Sequence, residues 1–229
     1  MRCLFCQQRI VNELSLKWLF SWQPYFQPHL CRYCRRNFVS LQDCFHCPRC
    51  YRQQFTNEIC TDCQRWQCLY PHEQWQHHAL LQYNDALAAY FMQYKGYGAY
   101  HLRLAFSDLL KKYFYQHRYD LIVPIPSDPL HLQQRGFDHV TSLYEKIISL
   151  QSLLIKLPTK VPQAQKNRYE RLQTPQFFKV KDDVTIFKTK QHLLLVDDIY
   201  TTGRTLWHAR NCLRAAGFKG QIDSFSLGR

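Results

Sequence analysis

Four Cys-x-x-Cys pairs crowd into the start of this 229-residue chain: Cys3/Cys6, Cys31/Cys34, Cys47/Cys50 and Cys60/Cys63. Each pair can form a knuckle that presents two thiolates to one tetrahedral ion, and two knuckles complete a four-cysteine zinc site. Eight such ligands predict two structural zinc ions and a small metal-folded module over residues 1–68. A disulfide scaffold would need an oxidising compartment, and the opening residues lack the uninterrupted apolar core of a secretory signal. Thioredoxin-like redox chemistry needs only one such pair, beside a βαβ unit. Spacing allows a sequential grouping, with Cys3, Cys6, Cys31 and Cys34 on one ion and Cys47, Cys50, Cys60 and Cys63 on the other. It allows a crossed grouping too. Cys44 and the nearby His46 could compete for a ligand position, but Cys44, Cys68 and Cys212 read as buried or incidental thiols.

A second segment carries different chemistry. His192-Leu193-Leu194-Leu195 reads as a buried parallel strand, and Leu206 to Ala216 as a helix stopped by Gly217. Between them lies Val196-Asp197-Asp198-Ile199-Tyr200-Thr201-Thr202-Gly203-Arg204-Thr205. Open α/β sheets bind ligands at such strand ends, where a helix N-terminus offers free N–H groups to a phosphate. Thr201, Thr202 and Thr205 add hydroxyl donors, and Gly203 lets the backbone close around an anion. Asp197 and Asp198 suit the paired hydroxyls of a ribose. A plainer reading is a strand–turn–helix whose Asp pair caps the helix. The run resembles the 5-phosphoribosyl-1-pyrophosphate (PRPP) motif of type I phosphoribosyltransferases. That resemblance implies that the carboxylates hold the ribose, the Thr/Gly loop cradles the 5′-phosphate, and Mg²⁺ bridges ribose and pyrophosphate.

Composition sets the outer bounds. With 46% apolar and 15% aromatic residues the chain can build a real core. No apolar run approaches the roughly 18 residues needed to span a bilayer, so the expectation is a cytosolic protein without a membrane span. The net charge of +13 attracts polyanions: nucleic acid, an anionic membrane surface or a phosphorylated substrate. Basic residues interleave with aromatics in Arg32-Tyr33-Cys34-Arg35-Arg36-Asn37-Phe38. The stretch Leu14 to Leu30 holds Trp18, Phe20, Trp22, Tyr25 and Phe26 and is read as packing the small core of the cysteine module, rather than as a base-stacking platform.

Residues 69–78 read as a linker into a second domain, 69–229. Asn84 N-caps a helix through Tyr94, which Lys95-Gly96-Tyr97-Gly98 breaks. A second helix is expected from about Tyr100 to His117, a strand over Asp120 to Val123, a third helix from Asp138 to Leu150, and a closing strand over Ser224 to Leu227. This alternation implies an α/β domain with a parallel sheet covered by helices on both faces. Pro124-Ile125-Pro126-Ser127 follows the first of these strands, where a pyrophosphate loop would sit.

Several segments together resemble the ComF family: Tyr83-Asn84-Asp85-Ala86-Leu87, Tyr94-Lys95-Gly96-Tyr97-Gly98, Pro124-Ile125-Pro126, Arg135-Gly136-Phe137-Asp138, the PRPP-type run, and the basic stretch Gln165 to Leu172 with Phe177. ComF-type proteins, related to GntX, are competence proteins that pair a cysteine module with a phosphoribosyltransferase-like domain. Asp138 stands where the family usually has Asn, and Arg204 where a small residue is common. The resemblance implies a role in natural transformation, handling incoming single-stranded DNA beside a DNA-uptake helicase and recombination mediators. Sequence-tolerant single-strand binding combines backbone neutralisation with base stacking, which makes Arg32, Arg35, Arg36, Lys166, Arg168 and Arg171 the candidate DNA contacts. A catalytic phosphoribosyltransferase is the alternative: Pro124, Pro126 and Ser127 would then take the pyrophosphate, and Asp197, Asp198 and Arg135 are the candidate catalytic groups. No nucleobase-binding hood is recognisable. A third reading is an adaptor that senses PRPP or a nucleotide.

Overall fold

A computed structural model describes residues 1–11, 16–22, 24–157, 176–181 and 185–229. Its centre is a parallel sheet of four strands, β1 (His77–Leu81), β2 (Leu121–Pro124), β5 (His192–Ile199) and β6 (Gln221–Gly228), in the order β1-β6-β5-β2. The register pairs Leu193 with Leu121 on one side and with Ile222 on the other, and Asp197 with Ser226. A separate antiparallel pair joins β3 (Leu154–Lys156) to β4 (Phe178–Val180). Among the described residues the α-helices are α1 (Leu16–Leu19), α2 (Arg32–Arg35), α3 (Thr61–Leu69), α4 (Asp85–Phe91), α5 (Ser107–Gln116), α6 (Pro129–Arg135), α7 (His139–Tyr144) and α8 (Arg204–Ala215).

Side chains alternate across a strand, so β5 feeds two cores. Leu194 and Val196 pack with α4, α5 and α7 on one face; Leu193 and Leu195 pack with α8 on the other. The cysteine region serves both. Cys3 and Cys31 join the first core, while Cys47, Cys50, Cys60, Cys63 and Trp66 join the second. Between the two halves the chain passes the edge of the sheet: Ser40 bridges Leu81, and Gln82 N–H donates to Val39 O at 2.9 Å. One cysteine group therefore sits on each side of the sheet, and residues 1–68 share both cores with residues 69–229.

The parallel α/β architecture follows the sequence reading, with local corrections. The segment read as a linker ends in β1. Its apolar run is only three residues long, and His77 looks polar until Ser224 and Ser226 hydroxyls take both ring nitrogens at 2.8 and 3.0 Å. The helix capped by Asn84, whose Oδ1 accepts from Leu87 N–H at 3.0 Å, gives way at Phe91 to a wide π turn over Met92–Gly96. The helix expected from Tyr100 splits into a 3-10 segment, Tyr100–Leu104, and α5. The helix expected to Leu150 is only α7; α6 precedes it, with Asp128 as N-cap, Pro129 at its first position and left-handed Gly136 at its end. Gly217 takes a φ of 98° past α8, as its stop signal implied.

Candidate functional site

The cysteines form two groups in the sequential order. In each, the four sulfurs lie within 4.8 Å of one another: Cys3, Cys6, Cys31 and Cys34, then Cys47, Cys50, Cys60 and Cys63. Both are built alike. The first pair turns through a left-handed residue, Gln7 or Tyr51, whose N–H closes on Cys3 O or Cys47 O at 3.0 and 2.9 Å. The second pair opens a helix, with Cys31 capping α2 and Cys60 capping α3. Helix N-termini favour thiolates. Cys6 Sγ lies 3.6 Å from Cys31 Sγ, as does Cys50 Sγ from Cys60 Sγ. With Zn–S near 2.3 Å, the edge of a tetrahedral four-sulfur site is about 3.8 Å, whereas a disulfide bond is about 2.05 Å. All eleven cysteines are free thiols, and the donor sets fit zinc. Burial works against ionisation of Cys3, but backbone N–H groups outweigh it and hold the thiol at about 6. Among these residues, Cys44, Cys68 and Cys212 join neither group.

A cleft of about 530 Å³ opens at the carboxyl ends of β2 and β5. Ile125, Pro126 and Ser127 line one side, Asp197 and Asp198 the floor, and Thr201, Thr202, Arg204 and Thr205 the other side. Pro124 does not reach it; it is the last residue of β2, paired with Val196. Asp198 is the hub. Its Oδ2 takes Lys95 Nζ and lies 3.0 Å from His139 Nε2, and its Oδ1 accepts from Ile199 N–H at 2.6 Å. Burial disfavours its charge, but Lys95 and His139 outweigh burial and hold the carboxyl well below the usual range. Asp197 goes the opposite way: burial and the adjacent Asp198 charge push it well up.

Arg135 Nη1 lies 2.8 Å from His139 Nδ1, and a guanidinium only donates. The imidazole proton therefore sits on Nε2 and faces Asp198. Arg135 Nε also donates to Lys95 O at 2.8 Å, so this candidate catalytic residue holds the two partners of Asp198 while lining the cleft. Asp138 caps α7 and accepts from Ser127 N–H at 2.9 Å, which ties down the loop expected to meet pyrophosphate.

Lys95, His139 and Lys156 are site residues that the sequence reading did not find. Lys95 was legible as part of a helix-breaking run and of a ComF-like segment, but with no role attached; the π turn is what aims it at Asp198. Lys156 is the last residue of β3, in the separate antiparallel pair; burial lowers its pKa against the pull of Asp128 and Asp197. Neither has a spacing signal.

Gly203 is not among the residues that line the cleft. Its φ is 76°, and an added Cβ would lie 2.2 Å from Tyr200 Oη and 2.6 Å from Cζ. Gly203→Ala should lower the urea midpoint by the equivalent of about 1–3 kcal/mol, the cost of such backbone strain, with the slope unchanged. An unchanged midpoint would mean that neither the left-handed backbone nor the Tyr200 ring resists an added Cβ.

The DNA candidates divide. Arg32 and Arg36 are exposed on α2, and the Arg36 guanidinium lies 5.4 Å from the Tyr33 ring centre. Arg35 is turned inward onto Asp108. Lys166, Arg168 and Arg171 lie outside the described residues. The aromatic stretch departs from its expected packing role: Phe20 is 85% exposed and Trp22 fully so, while Trp18 and Phe26 are half-buried. Trp18 meets Tyr25 edge-on at 5.3 Å and Phe26 meets Tyr115 of α5 at 6.0 Å, so the stretch packs in part and leaves Phe20 and Trp22 outside. No helix among the described residues is long and apolar enough to cross a membrane.

No protein-family model matches the chain. Among curated proteins it is 33% identical over 229 residues to competence protein ComFC of Streptococcus pneumoniae (strain ATCC BAA-255 / R6), covering 100% of both chains. It is 28% identical over 233 residues to competence protein ComFC of Bacillus subtilis (strain 168), covering 99% of this chain and 94% of that one.

Proposed function

The chain belongs to the ComFC family of competence proteins, and from that premise we propose that it serves natural transformation by binding single-stranded DNA and by holding a phosphoribosyl ligand in the cleft. The end-to-end similarity carries the first half, because it spans the cysteine region and the sheet alike. The second half is supported by the floor of the cleft. Asp197 and Asp198 offer carboxylates to a ribose diol, while the Thr201–Thr205 loop opens a twelve-residue helix, α8, with no acidic side chain in its first turn. Lys95, Arg135, Lys156 and Arg204 all line the cleft and suit a pyrophosphate. Mg²⁺ bound with PRPP would offset charge on the pyrophosphate oxygens. Zinc in the two cysteine groups would be structural.

The single-stranded DNA reading is supported by the exposed Arg32, Tyr33 and Arg36 of the α2 segment and, separately, by the exposed Phe20 and Trp22. Backbone charge neutralisation and ring stacking need such an array. Binding to unstructured oligonucleotides, followed by fluorescence anisotropy from low to high salt, tests it. Trp22→Ala should weaken binding about five- to hundredfold, since stacking is worth roughly 1–3 kcal/mol per base. Arg32→Glu and Arg36→Glu should each flatten the plot of log affinity against log salt by about 0.7, whereas Arg35→Gln should not. Salt-independent binding, or equal loss from all three arginines, would remove this surface from the function.

A further inference from the structure

The two cysteine groups are not equivalent: among the described residues, the second alone is linked to the phosphate loop, through Trp66 and Arg229. Three successive carbonyls of that loop are claimed from its side. Tyr200 O and Thr201 O accept from Arg229 Nη1 at 3.3 and 2.9 Å, and Thr202 O accepts from the Trp66 indole N–H at 3.0 Å. Arg229 in turn donates to Cys50 O at 3.1 Å and to Cys50 Sγ at 3.4 Å. Trp66 lies on α3, one turn past Cys60 and Cys63, and stacks on Trp207 of α8 at 5.2 Å. Its outer side carries the Arg204 guanidinium, 5.9 Å from the ring centre. In a trans peptide the C=O and the following N–H point in opposite directions. Drawing the carbonyls of residues 200–202 toward the cysteines therefore turns the N–H groups of Thr201, Thr202 and Gly203 the other way, to the side on which Thr201 and Thr202 line the cleft. The first group has no such link among the described residues; its neighbours are Leu30, Leu80 and the α4–α5 side of the sheet.

We infer that Trp66 and Arg229 are positioning residues: they couple the metal-bound state of Cys47, Cys50, Cys60 and Cys63 to the shape of the phosphate loop. Binding of a phosphate-bearing ligand then depends on the second zinc and not on the first. This rests on the phosphoribosyl reading for its ligand, but the coupling itself can be read without one.

The experiment uses the full zinc-loaded chain and three readouts: zinc content, amide hydrogen exchange over residues 200–207, and calorimetric titration with PRPP and Mg²⁺. Trp66→Phe keeps the ring stack and deletes one donor. It should leave the zinc content unchanged, speed loop exchange, and weaken PRPP roughly two- to tenfold, the worth of one neutral hydrogen bond. Arg229→Ala should do more, about ten- to hundredfold, and Arg229→Lys should recover part of it. Cys6→Ser should lose zinc from the first group yet leave loop exchange as in the parent. Unaltered exchange in both Trp66→Phe and Arg229→Ala would overturn the coupling, as would an equal effect from Cys6→Ser. If the parent fails to bind PRPP while loop exchange still follows Trp66 and Arg229, the coupling stands and the phosphoribosyl reading falls.

Discussion

Cys47→Ser should reduce zinc from about two ions per chain to about one and lower the stability of the whole chain, sheet included. Cys47 is fully buried and belongs to the core that contains Trp66, Trp75, Trp207 and the α8 face of the sheet. Binding of a structural zinc ion contributes about 10–16 kcal/mol in isolated modules, and a whole domain is stable by only about 5–15 kcal/mol. Losing even a third of the zinc contribution brings the chain to the edge of unfolding. A module that folded by itself would melt alone and leave the rest intact, but the shared core argues for one transition. Metal analysis together with calorimetric melting checks this. Two separate transitions, with the later one at the parent temperature, would show that residues 1–68 unfold alone. Cys6→Ser is the contrast: Cys6 is exposed and should cost its zinc with less loss of stability.

Asp198→Ala should weaken PRPP about ten- to hundredfold. A charge-assisted hydrogen bond to a ribose hydroxyl is worth roughly 1.5–3 kcal/mol, and about 1.4 kcal/mol is a factor of ten. The structure adds a second effect. Without Asp198, Lys95 and the Nε2 proton of His139 lose their acceptor, so the walls of the cleft lose registration as well. Asp198→Asn keeps oxygen at one position and should fall between parent and alanine. The effect on stability has a definite pH dependence. The folded state depresses the Asp198 pKa, so its stabilisation is full above the unfolded value of about 3.9 and fades as pH falls below it. The gap in stability between parent and Asp198→Ala should thus be widest near neutrality and close in acid. Calorimetric titration gives the affinity and urea unfolding at several pH values gives the gap. If Asp198→Ala binds PRPP like the parent, the ribose assignment is wrong. If it loses PRPP yet supports transformation normally, the cleft is a remnant and the DNA surface carries the function.

Much of the site could be read from residue order because its parts are local. Asp197, Asp198 and the Thr201–Thr205 loop lie close together in the chain; α8 is found within two residues of its expected bounds, while β5 begins at His192 as expected but runs four residues further, to Ile199, and so takes in both carboxylates. The Cys-x-x-Cys pairs are local too, since each knuckle is a single turn. The missed elements had weak local signals. β1 hides its apolar run behind two histidines, and α6 carries its Asp-Pro start and Gly stop in only seven residues.

The sequence by itself determined which residues can ligate metal, where a strand must end in two carboxylates, and that a parallel α/β sheet would hold them. Tertiary structure decided how these parts meet. Which cysteine pairs come together depends on the chain passing the sheet edge at Ser40 and Leu81. The partner of Asp198 is Lys95, 103 residues away, and the partner of the Thr202 carbonyl is Trp66, 136 residues away. Spacing reports only what one turn or one strand brings together. Contacts over such distances are set by packing two cores against opposite faces of one sheet, and that packing turned separate motifs into a cleft braced by a cysteine centre.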